Sequence, residues 1–309
     1  MQVVLHPLMP QGVPEELSAL DGVDGIEVIA PDDSDGVAEA MAAGGEVLVT
    51  FRWQDRFHTP SLRWVASVSA GTDQYPLAAL ADDGVVVTSA RGVNAVPVAE
   101  HAMALLLGCT RRIGQATRAA VEHQWVQRPS RLEVYGATAV VLGLGTIGEE
   151  IAVRAQAFGM RVIGIKRDPA AYDGVVDDVR DPESLLQACR EAEVLISVLP
   201  GGEATRHVID REVLEALGRG VVINVGRGSV VDEDALAEAL RERRLHGAGL
   251  DVFEAEPLPT DSPLWDIPTL VLTPHIGGTG PRYGERWIAL FRRNLAAFHG
   301  SGEWENRTV

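Results

Sequence analysis

The sequence predicts an α/β fold built from parallel sheets covered by helices. Up to about Val96, short apolar strands alternate with helical segments. A second alternation begins at Thr138, where a strand, a glycine-rich turn and a helix are contiguous. Such alternation is typical of βαβ units, whose strands pair in parallel. From the length of 309 residues we expect two domains of ordinary size.

Composition narrows the class of protein before any motif is considered. With 46% hydrophobic and 23% charged residues, and no run of about 18 apolar residues, the chain is not a membrane protein. No Lys or Arg precedes Arg52, so the basic flank of a signal peptide is missing and we expect a cytoplasmic location. A net charge of −17 disfavours nucleic acid and anionic lipid as partners. Cys109 and Cys189 lie in apolar helical contexts, which favours buried thiols over a disulfide or a metal site.

The first 96 residues read as a small α/β domain with two notable loops. Strands are predicted at 2–5, 26–29, 47–50, 64–68 and 85–88, and helices at 15–19, 37–43 and 77–81. Ser69, Ala70 and Gly71 follow the fourth strand, where their backbone N–H groups form either an anion-binding nest or an ordinary turn. Arg52 and Trp53 follow the third strand. Either both line a pocket, or Arg52 is solvated and Trp53 is packed.

A long helix is predicted from Pro97 toward Arg112, because proline is favoured in the first turn of a helix. Its apolar content exceeds one stripe, so we expect it to be buried on more than one side. His101 on this helix is expected to be a hydrogen-bonded structural residue. Residues 116–131 are expected to form a polar connector. The predicted domains are residues 1–96, residues 97–281, and a final helix and tail at 282–309.

The turn after strand 138–142 has the spacing of a dinucleotide-binding loop. Gly143 permits the tight turn, Gly145 lets the backbone approach a pyrophosphate, and Gly148 lets the helix pack close to the strand. The pyrophosphate would lie on the free N–H groups at the helix N-terminus, so Thr146 and Ile147 join the predicted cofactor contacts.

The residues at the end of the next strand, 161–165, are expected to determine whether NADH or NADPH is preferred. An acid there would bind the adenosine ribose, whereas Lys166 and Arg167 would pair with a 2′-phosphate. NADPH is therefore expected over NADH. The alternative is that Asp168 supplies the acid and the two cations are solvated.

The remaining strands, at 194–199, 220–225, 247–250 and 270–273, each end in a polar or glycine-rich loop. Helices are predicted between them at 182–188, 211–217 and 233–241, and a last helix at 282–300. Ligands of open α/β sheets lie outside the carboxyl ends of the strands. The loop residues predicted to contact the cofactor are Leu199, Pro200, Thr205, Val225, Gly226, Asp251, His275 and Gly277.

Three loop residues form a consistent set for reducing a carbonyl. Arg227 can hold a carboxylate and polarise the adjacent carbonyl. His275 can give or take the proton of a carbonyl/alcohol pair, and Glu256 can orient its ring and favour its charged form. The nicotinamide would supply the hydride.

The chain resembles the D-isomer-specific 2-hydroxyacid dehydrogenases along essentially its whole length. The motifs that carry the resemblance are 224–228 (NVGRG), 249–258 (GLDVFEAEPL), 273–278 (TPHIGG), 92–95 (GVNA) with 99–101 (AEH), and the 69–73 loop. The resemblance implies two Rossmann-like doubly wound domains, an active site in the cleft between them, and a homodimer built on the helices after Pro97. It also implies that Arg227 and the Ser69–Gly71 backbone bind the substrate carboxylate. Glu256 and His275 would be the acid/base pair, and Asp251 would lie near the nicotinamide carboxamide.

Departures from the family pattern reduce the number of activities that we expect for this chain. Lys166 and Arg167 replace the family's common acid, as in its NADPH-dependent glyoxylate/hydroxypyruvate reductases, and Glu256 argues against a formate dehydrogenase. The end of the chain at Val309 disfavours the longer type of phosphoglycerate dehydrogenase.

We therefore expect an NADPH-preferring reductase of a small 2-ketoacid. The alternatives are a short-type phosphoglycerate dehydrogenase or a dinucleotide-sensing binding protein without catalysis. Arg52, Trp53, Tyr283 and Trp287 are candidates for the substrate's side-chain pocket. For Trp287 the helical period of the last helix favours the alternative, a core position.

Overall fold

A computed structural model of the protein describes residues 1–127 and 132–309, which form two compact units. One unit is Met1–Asn94 with Thr279–Val309, and the other is Ala95–Gly278. The described strands are β1 (Gln2–Leu5), β2 (Glu27–Ile29), β3 (Val47–Thr50), β4 (Trp64–Ser67), β5 (Val86–Thr88), β6 (Thr138–Leu142), β7 (Arg161–Ile165), β8 (Asp178–Arg180), β9 (Val194–Ser197), β10 (Val221–Asn224), β11 (Gly247–Leu250) and β12 (Leu270–Leu272). The described α-helices are α1 (Val13–Ser18), α2 (Ser34–Ala42), α3 (Leu77–Asp82), α4 (Ala95–Thr110), α5 (Ile113–Val121), α6 (Thr146–Ala157), α7 (Leu185–Arg190), α8 (Arg211–Leu217), α9 (Glu233–Arg241) and α10 (Tyr283–Phe298). The units end two and three residues before the predicted domains, whose boundaries and roles stay predictions.

The first unit is a five-stranded parallel sheet in the order β2-β1-β3-β4-β5. Strands β3 and β4 are buried along their whole length, as expected for apolar runs covered on both faces. Helix α10 returns to this unit and adds an aromatic stack to its core. The ring centroids of Trp64 and Phe291 lie 4.8 Å apart, and those of Trp287 and Phe291 lie 5.0 Å apart.

The second unit is a seven-stranded parallel sheet in the order β12-β11-β10-β9-β6-β7-β8. The chain direction across the sheet reverses between β6 and β9, the point where doubly wound sheets bind ligands. Helix α4 packs against α6, β10 and β11, and buried residues occur around most of its circumference. The predicted burial of this helix on more than one side is confirmed.

Two elements differ from the sequence predictions. Helix α5 occupies the start of the predicted 116–131 connector, since Arg112 adopts a left-handed φ of 57° that ends α4 and caps α5. Residues 128–131 of that connector lie outside the described residues. The strand β8 was not predicted, because it has no apolar run that would mark it as a strand. Its charged residues Asp178 and Arg180 form ion pairs instead. Among the described helices, none is both long and apolar enough to span a bilayer.

Candidate active site

The glycine turn joins β6 to α6 at the reversal point of the second sheet. Gly143 has a φ of +105°, which only glycine adopts readily, so it makes the sharp turn out of the strand. A Cβ on Gly148 would lie 2.0 Å from the carbonyl oxygen of Gly143, so the first helical turn packs directly on the loop. These two glycines are required by the fold.

Gly145 differs from its two neighbours in this turn. It precedes the first residue of α6 with a φ of −102°, which other residues also adopt. A Cβ built on it would meet no atom within 4 Å among the described residues. Neither backbone nor packing therefore requires glycine here, whereas a phosphate on the helix N-terminus would need the open space. The turn fits a dinucleotide cofactor.

Lys166 lies directly after β7, the strand next to the glycine turn. Its Nζ donates a hydrogen bond of 2.9 Å to the carbonyl oxygen of Leu144, so the ammonium is held beside the turn. Arg167 is exposed. Asp168, the alternative ribose ligand, caps the short turn Pro169–Ala171 by accepting from the backbone N–H of Ala171 at 3.3 Å. The arrangement presents positive charge at the end of β7.

The loops after β9 and β10 come close together on the other side of the reversal point. A Cβ on Gly226 would lie 2.5 Å from the carbonyl oxygen of Leu199, so these two backbones need glycine to approach. In the β9 loop, Thr205 Oγ1 donates to the carbonyl oxygen of Pro200 at 2.8 Å. Val225 is buried beside Gly226.

Arg227 follows β10 and is half-buried. Asn224 shapes its loop by accepting from the N–H of Gly226 at 3.1 Å and donating to the carbonyl oxygen of Arg227 at 2.9 Å. Arg227 Nη1 donates to the carbonyl oxygen of Gly226 at 2.8 Å, which leaves the other guanidinium donors for a ligand. The next residue, Gly228, touches the backbone of Phe253 and so links this loop to the segment that carries Glu256.

Glu256 and His275 form a direct pair in the loops after β11 and β12. Glu256 Oε2 lies 2.7 Å from His275 Nδ1, and Glu256 Oε1 accepts from the N–H of Phe253 at 3.0 Å. Both side chains are partly exposed, at 36% and 49%. An ionised Glu256 places the proton of Nδ1 between the two groups, so Nε2 is the ring nitrogen that can exchange a proton with a ligand.

Asp251 holds the loop that carries His275. Its side chain is buried and accepts from Thr273 Oγ1 at 2.7 Å and from the N–H groups of Ile276 and Gly277 at 3.0 and 2.8 Å. His101 Nε2 lies 3.2 Å from the same carboxylate and 2.8 Å from Thr273 Oγ1. The prediction that His101 is hydrogen-bonded is confirmed. Asp251, predicted as a cofactor contact, bonds the Thr273 side chain before His275 and two backbone N–H groups after it. His275 itself has a φ of +53°.

In the first unit, the predicted Ser69–Gly71 loop follows β4 and is half-exposed. The N–H of Ser69 donates to Ser67 Oγ at 3.0 Å, and Ser69 Oγ donates to the carbonyl oxygen of Gly71 at 2.8 Å. The Ser69 amide is therefore engaged within the loop, and Ala70 and Gly71 carry the backbone N–H groups that remain for an anion.

The side-chain pocket predicted from Arg52, Trp53, Tyr283 and Trp287 needs correction. Trp287 and Tyr283 are buried in the core of the first unit and donate to the carbonyl oxygens of Ser67 and Val68. They hold the end of β4 in place and do not line a pocket. Trp53 packs edge-on against Phe57, His58 and Tyr75, and Arg52 is exposed. Of the two alternatives for this loop, the structure has the packed Trp and the solvated Arg.

Sequence reasoning missed a second histidine–glutamate pair. His207 Nε2 lies 2.9 Å from Glu254 Oε1, and His207 has a φ of +51°, close to that of His275. No motif in the sequence marks this pair.

Two family models match this chain. The NAD binding domain of the D-isomer specific 2-hydroxyacid dehydrogenases matches residues 103–277, and their catalytic domain matches residues 5–158. The chain belongs to the D-isomer specific 2-hydroxyacid dehydrogenase family. The predicted family and its two parallel-sheet α/β domains are confirmed.

Relatives of this 2-hydroxyacid dehydrogenase family member carry several names. The chain is 35% identical to a D-3-phosphoglycerate dehydrogenase of Methanocaldococcus jannaschii over 71% of its own length and 42% of the relative. It thus spans less than half of that longer protein. It is 33% identical to glyoxylate/hydroxypyruvate reductase B of Serratia proteamaculans over 91% of its length and 90% of the relative. The structure of an NADPH-dependent glyoxylate/hydroxypyruvate reductase from Sinorhizobium meliloti in complex with citrate superposes with a TM-score of 0.84 at 30% identity, covering 100% of this chain and 97% of that one.

Proposed function

We propose that the protein is a 2-ketoacid reductase that acts on a small substrate such as glyoxylate or hydroxypyruvate, forms the D-2-hydroxyacid and prefers NADPH. The observation that carries the proposal is the Glu256–His275 pair, which lies at the carboxyl edge of the same sheet as the glycine turn. Relatives that match nearly the whole chain and are named for this reaction support it.

Each group of residues in the site would have its own role in the reaction. The bound cofactor supplies the hydride, and Gly143, Gly145 and Gly148 with the N-terminus of α6 would hold its pyrophosphate. His275 would give a proton from Nε2 to the keto oxygen, and Glu256 fixes the orientation of the ring through Nδ1. Arg227 would fix the substrate carboxylate with its remaining guanidinium donors.

The cofactor preference rests on Lys166. Its ammonium is already positioned beside the glycine turn, where a 2′-phosphate on the adenosine ribose would gain a charged partner. The alternative ligand Asp168 is engaged in capping the turn that follows. We assign the first unit, which includes the tail 282–309, to substrate binding and the second unit to the dinucleotide.

We include a homodimer and a cytoplasmic location in the proposal. Ile113, Val121 and Trp125 are 53%, 78% and 92% exposed, and apolar exposure of this kind along one segment supports association of two copies. Cys109 and Cys189 are buried free thiols, which fits a reducing compartment.

The proposal is tested by initial rates of reduced nicotinamide oxidation with glyoxylate, hydroxypyruvate, pyruvate, phenylpyruvate and phosphohydroxypyruvate, each with NADPH and with NADH. We expect a small ketoacid with NADPH to give the highest kcat/KM. In Lys166→Gln, the ratio of kcat/KM for NADPH over NADH should fall about tenfold, because one charge-assisted contact is lost. The exposed Arg190→Gln, a control cation from the same unit, should leave the ratio unchanged.

Each other outcome points to a named alternative. Highest activity with phosphohydroxypyruvate would support a short-type phosphoglycerate dehydrogenase. An unchanged cofactor ratio in Lys166→Gln would refute the assignment of the 2′-phosphate to this residue. Binding of NADPH without turnover of any ketoacid would favour a dinucleotide-sensing protein.

A further inference from the structure

We propose that a surface cavity on the second unit is a binding site for small phosphate- or carboxylate-bearing polyanions, separate from the candidate active site. The cavity has a volume of about 640 Å³, within the range of pockets that hold metabolite-sized ligands. Four arginines, Arg112, Arg219, Arg241 and Arg243, line it. Asp266 is the one carboxylate among its described lining residues.

The cavity lies at the edge of the sheet opposite to the candidate active site. Arg219 lies two residues before β10, while His246 and Thr269 directly precede β11 and β12. Arg227, Asp251 and His275 follow the carboxyl ends of the same strands. Because strands rise about 3.3 Å per residue, the length of a strand separates the two places.

The arginines around the cavity differ from a neighbouring arginine in their ion pairing. Within the parts of the chain that the structure describes, no ion pair joins any of the four arginines to a carboxylate. Arg112 Nη1 donates to Gln115 Oε1 at 3.2 Å, and Arg241 Nη2 donates to the carbonyl oxygen of Pro263 at 3.4 Å. By contrast, Arg244, the neighbour of Arg243, pairs with Glu215, Glu238 and Glu242.

This clustering of cations is unusual in so acidic a chain. The protein has 44 acidic and 27 basic residues, so carboxylate partners are abundant. Four guanidinium groups around one cavity repel one another, and an anionic ligand would offset that repulsion. Planar guanidinium groups also match the bidentate geometry of phosphate and carboxylate.

Apolar side chains complete the lining of the cavity. Leu240, Leu245, Ile267 and Pro268 add an apolar lining that suits the carbon skeleton of an organic anion.

Isothermal titration of the protein with pyrophosphate and with citrate at low ionic strength tests the site. We expect binding of at least one probe, and Arg243→Gln and Arg219→Gln should each raise its Kd about tenfold through loss of one charge-assisted contact. Arg244→Gln is the matched control, since it removes the same charge at the next position outside the cavity, and its Kd should stay within about twofold. The two probes distinguish phosphate from carboxylate as the preferred group.

The same variants distinguish anion binding in the cavity from anion binding at the glycine turn or at Arg227. Such binding would give equal affinities in the parent protein and in Arg243→Gln, and that result would overturn the proposal. Thermal unfolding controls for folding: without anion, Arg243→Gln should melt no lower than the parent protein, because it relieves repulsion. Pyrophosphate should raise the melting temperature of the parent protein more than that of Arg243→Gln, and equal increases would also refute the site.

Discussion

His275 and His207 have nearly the same local structure in the second unit. Each has a left-handed backbone, with φ of 53° and 51°, and each lies within 3 Å of a glutamate oxygen. The difference lies in position, because only His275 lies on a loop whose backbone is fixed by the buried Asp251. The histidine–glutamate geometry alone therefore does not identify an acid/base catalyst.

Replacing each histidine by asparagine tests this distinction. Asn tolerates the left-handed backbone and cannot donate a proton at neutral pH, so strain is not introduced along with the loss of chemistry. We expect His275→Asn to lower kcat by about 10²- to 10⁴-fold, the usual contribution of general acid catalysis, with an unchanged Kd for NADPH. His207→Asn should retain kcat within about twofold. Equal losses in the two variants would remove the proposed role of His275.

At this scale, the sequence predicted the site only partly. Glu256 and His275 were chosen from their loop positions and their chemistry, with support from the family resemblance, and their 2.7 Å contact agrees with that choice. The bonds of Asp251 to residues 276 and 277 and to His101 join positions more than 20 residues apart, so no local pattern reveals them. Trp287, on the helical period of the last helix, lies in the core as that spacing predicted, and its alternative role in a pocket was wrong.

The elements follow the sequence most closely where an apolar run ends at a glycine or a polar residue. Strands β1, β3, β6, β7 and β11 have the predicted bounds, as do helices α8 and α9. Asp210 and Asp232 cap these two helices by accepting from the backbone N–H groups of Val213 and Ala235. Strand β8 could not be predicted in the same way, since its stability comes from charges on other elements.

The network around β8 gives a pH-dependent contribution to stability. Hydrogen bonds from Arg180, and then from Arg161, hold the pKa of Asp178 below its usual range. A carboxylate with a lowered pKa in the folded state stabilises the protein fully above its unfolded pKa of 3.8. That contribution is lost as the pH falls through the folded pKa.

Asp178→Asn should accordingly lower the free energy of unfolding by about 0.5–1 kcal/mol at pH 7, the range for a partly exposed ion pair. The difference from the parent protein should shrink at pH 3 and below, as measured by urea unfolding. Asp173→Asn, at an exposed position nearby, should have no effect at either pH. A difference that persisted unchanged at pH 2 would show that the charge of Asp178 is not the cause.

On the scale of the whole molecule, the first unit is assembled from both ends of the chain. Its sheet comes from residues before Asn94, whereas Trp287 and Phe291 of its core come from α10. The second unit is continuous from Ala95 to Gly278. The core of the first unit is therefore completed only when the last helix is in place.

Phe291→Ala should destabilise the first unit by about 3–5 kcal/mol, because it removes a buried ring between Trp64 and Trp287. Trp53, Trp64, Trp287 and Trp304 belong to this unit, so tryptophan fluorescence during urea unfolding mainly reports it. Phe158→Ala, at a residue that is 43% exposed in the second unit, should change stability far less. Similar unfolding midpoints for Phe291→Ala and the parent protein would contradict this view of the core.

Lys166 is the only lysine in the chain, and its side chain is bonded to the glycine turn. The other primary amine, at Met1, donates to the carbonyl oxygen of Gly25 and lies 3.8 Å from Glu46 in the first unit. An amine-reactive reagent therefore has a single side-chain target in this protein, and that target lies beside the turn. A spectroscopic label attached there would report on this one position without mutagenesis.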